Sequence, residues 1–263
     1  DRFGDLLVGV GNGEHDDLDA EVAQVGGEVE AVGVGQRAVE QRGIGAYTLD
    51  EKLDPPRDKG SITLVLEPYD YVINQREAWR YLPGSRRVRR APTVGYDTPS
   101  GPNGLITVDD TLGFNGSMDR FEWQLIGKKE IYIPNHNYRF DTPDVSYKEL
   151  LPRFHANPDY LRHELHRVWI VEAQLREGKR HVYQTRRFYL DEDSWLIVAT
   201  ENYDSRGELW KISFVTSIYE FNLGAYVQRA FLYTDLEVGA YFANRLVNQL
   251  RPFDFTAEPK PVE

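Results

Sequence analysis

The 263-residue chain contains no cysteine, which removes disulfides, thiolate metal sites and cysteine nucleophiles together and leaves the redox compartment unread. It has no apolar run approaching the roughly 20 residues that a bilayer-spanning helix needs. Positive charge is scarce as well: 31 Lys and Arg stand against 42 Asp and Glu, a formal net charge of −11. That balance opposes non-specific binding to nucleic acid or anionic membranes, so no nucleic-acid partner is expected. Familiar catalytic signatures are missing too. There is no Gly-x-Ser-x-Gly elbow, no phosphate-binding glycine loop ahead of a helix and no dinucleotide fingerprint. The chain opens at Asp1, and that start says nothing about export.

Residues 1–45 have their own absences. They lack Lys, Pro, Ser, Thr and Trp, and Phe3 is their one aromatic. Few large apolar groups are available there to offset chain entropy, and no helix or strand period is sustained. This segment is expected to be disordered or non-native. Residues 46–255 are expected to form one mainly β domain, followed by a frayed tail at 256–263.

What is present is β-pattern. Residues 62–73, 77–84 and 121–134 read as strands, the last stretch as two strands around Gly127. From His166 to Ile218 a four-strand meander can be laid out. A two-residue turn at Glu177-Gly178 sets 169 opposite 186, the loop Asp191 to Ser194 sets 186 against 199, and a turn at Arg206-Gly207 sets 199 against 214. Alternation then gives one apolar face carrying Trp169, Phe188, Trp195, Trp210 and Phe214, and one polar face that includes His166 and His181. Gln184, Arg186 and Glu201 interrupt the apolar face. An unpaired buried charge is costly, so Arg186, lying beside Trp169, is expected to pair diagonally with Glu201. The trio reads either as a buried structural ion pair or as the floor of a ligand cavity.

Other features are weaker. Arg86, Arg87, Arg89 and Arg90 read as an anion site or as edge charge that discourages aggregation. Residues 91–120 read as long loops that cover a site, with a short helix near 110–115, and Tyr147 to Leu151 as a turn of helix. Residues 221–250 fit strand or amphipathic helix. Asp109-Asp110 and Asp191 with Asp193 read as turn formers. His163-Glu164-Leu165-His166 lacks the metalloprotease spacing, and His181 sits at the far end of its hairpin from His166. No metal, cofactor or catalytic residue is assigned.

The stretches QREAWRYLPGSRRVRRAP, YDTPSGPNGLITVDDTLGFNGSMDRFEWQLIGKKEIYIP, HRVWIVEAQLREGKRHVY, FYLDEDSW and YDSRGELWK together resemble the proteobacterial envelope family called domain of unknown function 1329. That family lies in the superfamily of the outer-membrane lipoprotein carrier and receptor. The resemblance covers roughly residues 60–255 and leaves 1–45 outside. It implies a periplasmic protein with a curved, incompletely closed antiparallel sheet, a half-barrel whose concave side is covered by short helices and loops and binds lipophilic groups. The aromatic face would line that concavity, with Trp169, Arg186, Phe188, Trp195, Glu201, Trp210 and Phe214 as ligand contacts. The expected function is that of a non-catalytic carrier of a lipid, acyl chain or hydrophobic metabolite, without a cofactor. The alternative is an envelope assembly or transport accessory protein acting through protein contacts.

Overall fold

A computed structural model describes residues 2–8, 23–31, 43–52, 56, 59–91 and 95–248. The strands are β1 (Arg2–Val8), β2 (Ala23–Ala31), β3 (Ile44–Lys52), β4 (Ile62–Pro68), β5 (Glu77–Leu82), β6 (Arg87–Arg90), β7 (Pro99–Ser100), β8 (Ile106–Thr107) and β9 (Phe121–Pro134). They continue with β10 (His163–Leu175), β11 (Thr185–Asp191), β12 (Ile197–Tyr203), β13 (Leu209–Glu220), β14 (Ala225–Asp235) and β15 (Ala240–Leu246). β7 and β8 pair with each other, and the other 13 form one sheet in the order β9 to β15, then β1 to β6. Every pairing in it is antiparallel, and the sheet ends at β9 and β6 without closing into a barrel.

The strands form where β-branched and aromatic residues alternate with polar ones, a pattern that suits a pleated surface. In β9 a register shift opposite Ile170 and Val171 falls at Gly127, so the expected pair of strands is one bulged strand of 14 residues. The ambiguous stretch 221–250 resolves into β14 and β15. Within residues 1–45, β1 pairs with β15 and with β2. No internal period announces β1 and β2, because their order comes from neighbouring strands that are distant in sequence or just follow.

Two long connections cover the sheet, one on each face. Residues 95–120, here the strap, lead from the β6 edge to the β9 edge. The strap sets Leu105 and Ile106 on Val215, Phe231, Tyr233 and Phe242, and Phe114 beside Phe121, Trp123 and Phe188. It holds three-residue helical turns at Val108–Asp110 and Met118–Arg120 in place of the helix expected near 110–115. On the other face residues 135–162 carry a single-turn helix, Tyr147–Leu150, and pack Phe140, Leu150 and Leu151 against Leu232, Tyr241 and Leu246. Burying each such side chain contributes about 1.5–3 kcal/mol, so both connections are fixed mainly by apolar burial.

The hairpin registers differ from the sequence expectation in an instructive way. Glu177-Gly178 does lie in a turn, with Lys179 N–H donating to Arg176 O, but the chain loops on to Tyr183 before pairing. Trp169 therefore faces Leu190, and Arg186 faces Ala173. That slip is even in residue number and keeps the paired side chains of β10 and β11 on their expected faces. The next turn slips by an odd number: Arg186 faces Asn202, not Ala199. Glu201 consequently moves to the opposite face from Arg186. The third pairing, Ala199 with Phe214, is as expected.

Candidate functional site

The strap crosses the sheet over Arg186, whose side chain is 0% exposed. One strand position places it there: Ala173 on one side and Asn202 on the other are short enough to leave room for the guanidinium. Its Nε donates to Asn202 Oδ1 at 2.9 Å, Nη1 to Asp109 Oδ2 at 2.9 Å and Nη2 to Asp110 Oδ1 at 2.7 Å. The rings of Phe114, Tyr183 and Phe188 enclose it, each centroid 5.2–5.4 Å from the guanidinium carbon. Arg186 thus pairs with two strap carboxylates, and the expected partner Glu201 is replaced because the odd slip turned it away.

One guanidinium faces two carboxylates, and neutral donors meet the remaining negative charge. Thr107 Oγ1 donates to Asp109 Oδ1 at 2.7 Å, while Thr107 N–H and the Tyr183 hydroxyl donate to Asp110 Oδ2 at 2.7 and 2.9 Å. His181 Nδ1 accepts from Tyr183 N–H, so Nε2 carries a proton toward Asp109 Oδ2, 3.1 Å away. Burial pushes the Asp109 carboxyl up, but Arg186 and His181 outweigh it and hold the group below the ordinary carboxylate range. Burial and the neighbouring Asp110 push the Tyr183 hydroxyl well above its usual range, which keeps it a donor. His181 was expected on the polar face; it is enclosed because the loop before β11 turns it under the strap.

The other expected contacts divide between the two faces. Phe188 is buried beside Arg186 and stacks on Trp123 at 5.6 Å. Trp210, at a register shift, meets Tyr183 edge-on at 5.7 Å. Further along the same face, past the point where Gly113 rests on Ile197, Trp169 stacks on Trp195 at 6.4 Å and carries Lys128 Nζ 4.1 Å from its ring. Trp195 is 64% exposed. The indole N–H groups of Trp169 and Trp210 are buried and make no hydrogen bond to the described residues. Phe214 and Glu201 lie on the opposite face. There Glu201 accepts from the Tyr189 and Tyr203 hydroxyls at 2.9 and 2.6 Å, and Arg187 Nη1 lies 3.4 Å away.

Asp109, Asp110 and Tyr183 are members of the site that the sequence pattern does not single out. Asp110 does shape its turn, through a reciprocal cap with Thr107, and the same carboxylate also meets Arg186. A signal for the pairing existed in the form of an arginine in an apolar strand, which demands acids from elsewhere. His166 and Glu164 share the face opposite the strap, with His166 Nδ1 2.8 Å from Asp191 Oδ1, while His163 points the other way. His166, Asp191 and Asp193 each place a donor atom within 4.8 Å of the others. Both nitrogens of His166 and both oxygens of Asp191 already have partners within the chain.

Among known proteins, the sequence profile of the family described as "Protein of unknown function (DUF1329)" matches residues 20–262. The match reaches into the segment that the sequence reading left outside the resemblance. An uncharacterized protein of Pseudomonas aeruginosa is 48% identical over 160 residues, 60% of this chain and 35% of that protein. The chain thus spans about a third of that relative's length. A DUF1329 family protein from Desulfovibrio piger superposes with a TM-score of 0.55 at 14% identity, covering 93% of this chain and 82% of the other. A domain from Vibrio parahaemolyticus named for outer-membrane lipoprotein sorting gives 0.55 at 14% identity, covering 93% and 80%. Likeness at that identity shows a shared fold.

Proposed function

The chain belongs to the DUF1329 family, and from that premise we propose that it is a non-catalytic periplasmic carrier that shelters a lipophilic ligand against the strap-covered face. The observation that carries this reading is the Trp169–Trp195 stack. It continues the aromatic face beyond Gly113, leaves one indole largely open to solvent and holds a buried, unpartnered indole N–H beside it. An apolar surface with a few placed polar groups is what a small-molecule site requires. Arg186, sealed from solvent and bonded to Asn202, Asp109 and Asp110, secures the strap in this reading. The shared fold with a lipoprotein-sorting domain agrees with a carrier and does not by itself assign one.

The test is mass spectrometry of organic extracts from protein purified from an envelope fraction without detergent. A stoichiometric lipophilic compound is expected in the unaltered chain and should be lost from Trp169→Ala and Trp195→Ala, with thermal melts confirming that both variants fold. Clean extracts from the unaltered chain would overturn the proposal. The remaining reading, an accessory protein acting through protein contacts, draws on β6, an edge strand whose residues Arg87, Val88, Arg89 and Arg90 are all exposed. It predicts that reversing those arginines to glutamate abolishes capture of an envelope protein.

A further inference from the structure

Strand direction sorts the turns of the antiparallel sheet between its two ends. β4, β11 and β13 run toward the same end, so their following turns, 69–76, 192–196 and 221–224, all lie there. Val72 and Ile73 in the first turn are 68% and 77% exposed, Trp195 stands in the second, and Phe221 and Leu223 in the third are 77% and 46% exposed. Tyr132, on β9 near the same end, is also exposed. The turns at the other end carry Glu177, Lys179 and Arg180 in one case and Asp204, Arg206 and Glu208 in another. Among the described residues there, Val182 in the first is also exposed, and a third turn carries Leu236 and Val238 around Glu237.

We propose that the end bearing Val72, Ile73, Trp195, Phe221 and Leu223 is a contact for a zwitterionic lipid surface. The apolar side chains project from separate turns, which suits a deformable apolar phase better than the shaped core of a protein interface. Behind Phe221 lies a layer of tyrosines: Tyr219 meets Phe221 at 5.2 Å and Tyr226 at 5.3 Å, and the Tyr138 hydroxyl donates to Tyr219 O at 2.8 Å. Rings with an apolar body and a polar tip favour the membrane–water boundary. Glu192 beside the second turn is paired with Lys128 and Arg167, and the acids Asp70, Asp193 and Glu220 oppose an anionic surface and select a neutral one. Trp195 is shared with the proposed ligand site, while Val72, Ile73, Phe221 and Leu223 carry this contact whether or not the strap-covered face holds a ligand.

The experiment is co-sedimentation of the full chain with phosphatidylcholine vesicles and with vesicles enriched in phosphatidylglycerol. Binding is expected to phosphatidylcholine, more weakly to phosphatidylglycerol, with a blue shift in tryptophan fluorescence. Removing the apolar area of two side chains in Phe221→Ser/Leu223→Ser should lower partitioning about tenfold or more, and Val72→Ser/Ile73→Ser should lower it as well. Leu236→Ser/Val238→Ser, at the opposite end, should leave it unchanged. Failure to sediment with either vesicle, stronger binding to phosphatidylglycerol, or an equal loss in the opposite-end variant would overturn the proposal. So would concentration-dependent dimerisation abolished by Phe221→Ser/Leu223→Ser. Organic extracts of that variant should retain any ligand, which separates failure here from failure of the carrier reading.

Discussion

Arg186 and Arg187 are neighbours in one strand and belong to two different proteins in the physical sense. Arg186 is sealed beneath the strap between Asp109 and Asp110. Arg187 lies on the opposite face, about a third exposed, with Glu172 at 2.8 Å and Glu201 at 3.4 Å. The same side chain thus serves as a buried clasp at one position and a hydrated surface pair at the next. Water decides the difference: removing a partner from a sealed charge leaves an ion that nothing solvates, whereas an exposed pair falls back on solvent.

The contrast is tested most severely by Arg186→Met. It leaves two buried carboxylates without their cation and should destabilise the fold by about 3–5 kcal/mol, read as a drop in thermal midpoint with increased proteolysis between residues 95 and 120. A stable variant with an intact strap would break the comparison. Acid offers a milder version. The folded Asp109 carboxyl titrates below its unfolded value, so the stability it contributes is complete above about pH 4. It is lost as pH falls through the lower folded value. Tryptophan fluorescence during acid titration should therefore show strap release below about pH 4, and Asp109→Asn should remove that acid-sensitive component. Arg187→Met should have the smallest effect, within about 1 kcal/mol, and added salt should shrink it further.

Much of the sheet was legible because alternation is a local property. Trp169, Phe188 and Leu190 could be placed on one face from β10 and β11 alone, and even a four-residue slip preserved that assignment. The odd slip at the β11–β12 turn could not be read from residues 191–196, since the loop length that fixes pairing depends on how the turn is hydrogen-bonded. That single step moved Glu201 away from Arg186. The true partners lay beyond local reach as well: Asp109 and Asp110 come from an irregular segment whose path is set by Phe114, Leu105 and Ile106 finding the sheet. A demand for buried acid was visible in the strand, but the acid that answers it is a matter of tertiary packing.

The order of the sheet also gives the chain an unusual seam. Every pairing in the large sheet joins strands consecutive in sequence, except that of β1 with β15, where Gly4 meets Leu246. The strands run as a plain meander whose sequence has been cut at one place and joined at another, with the strap bridging the two outer edges. Loop-closure entropy grows with the length of chain enclosed, and pairings remote in sequence are the slow ones. The entropic barrier to completing this sheet therefore lies at its interior seam, while its outer edges are reached through pairings of strands consecutive in sequence, the one to β9 across residues 135–162.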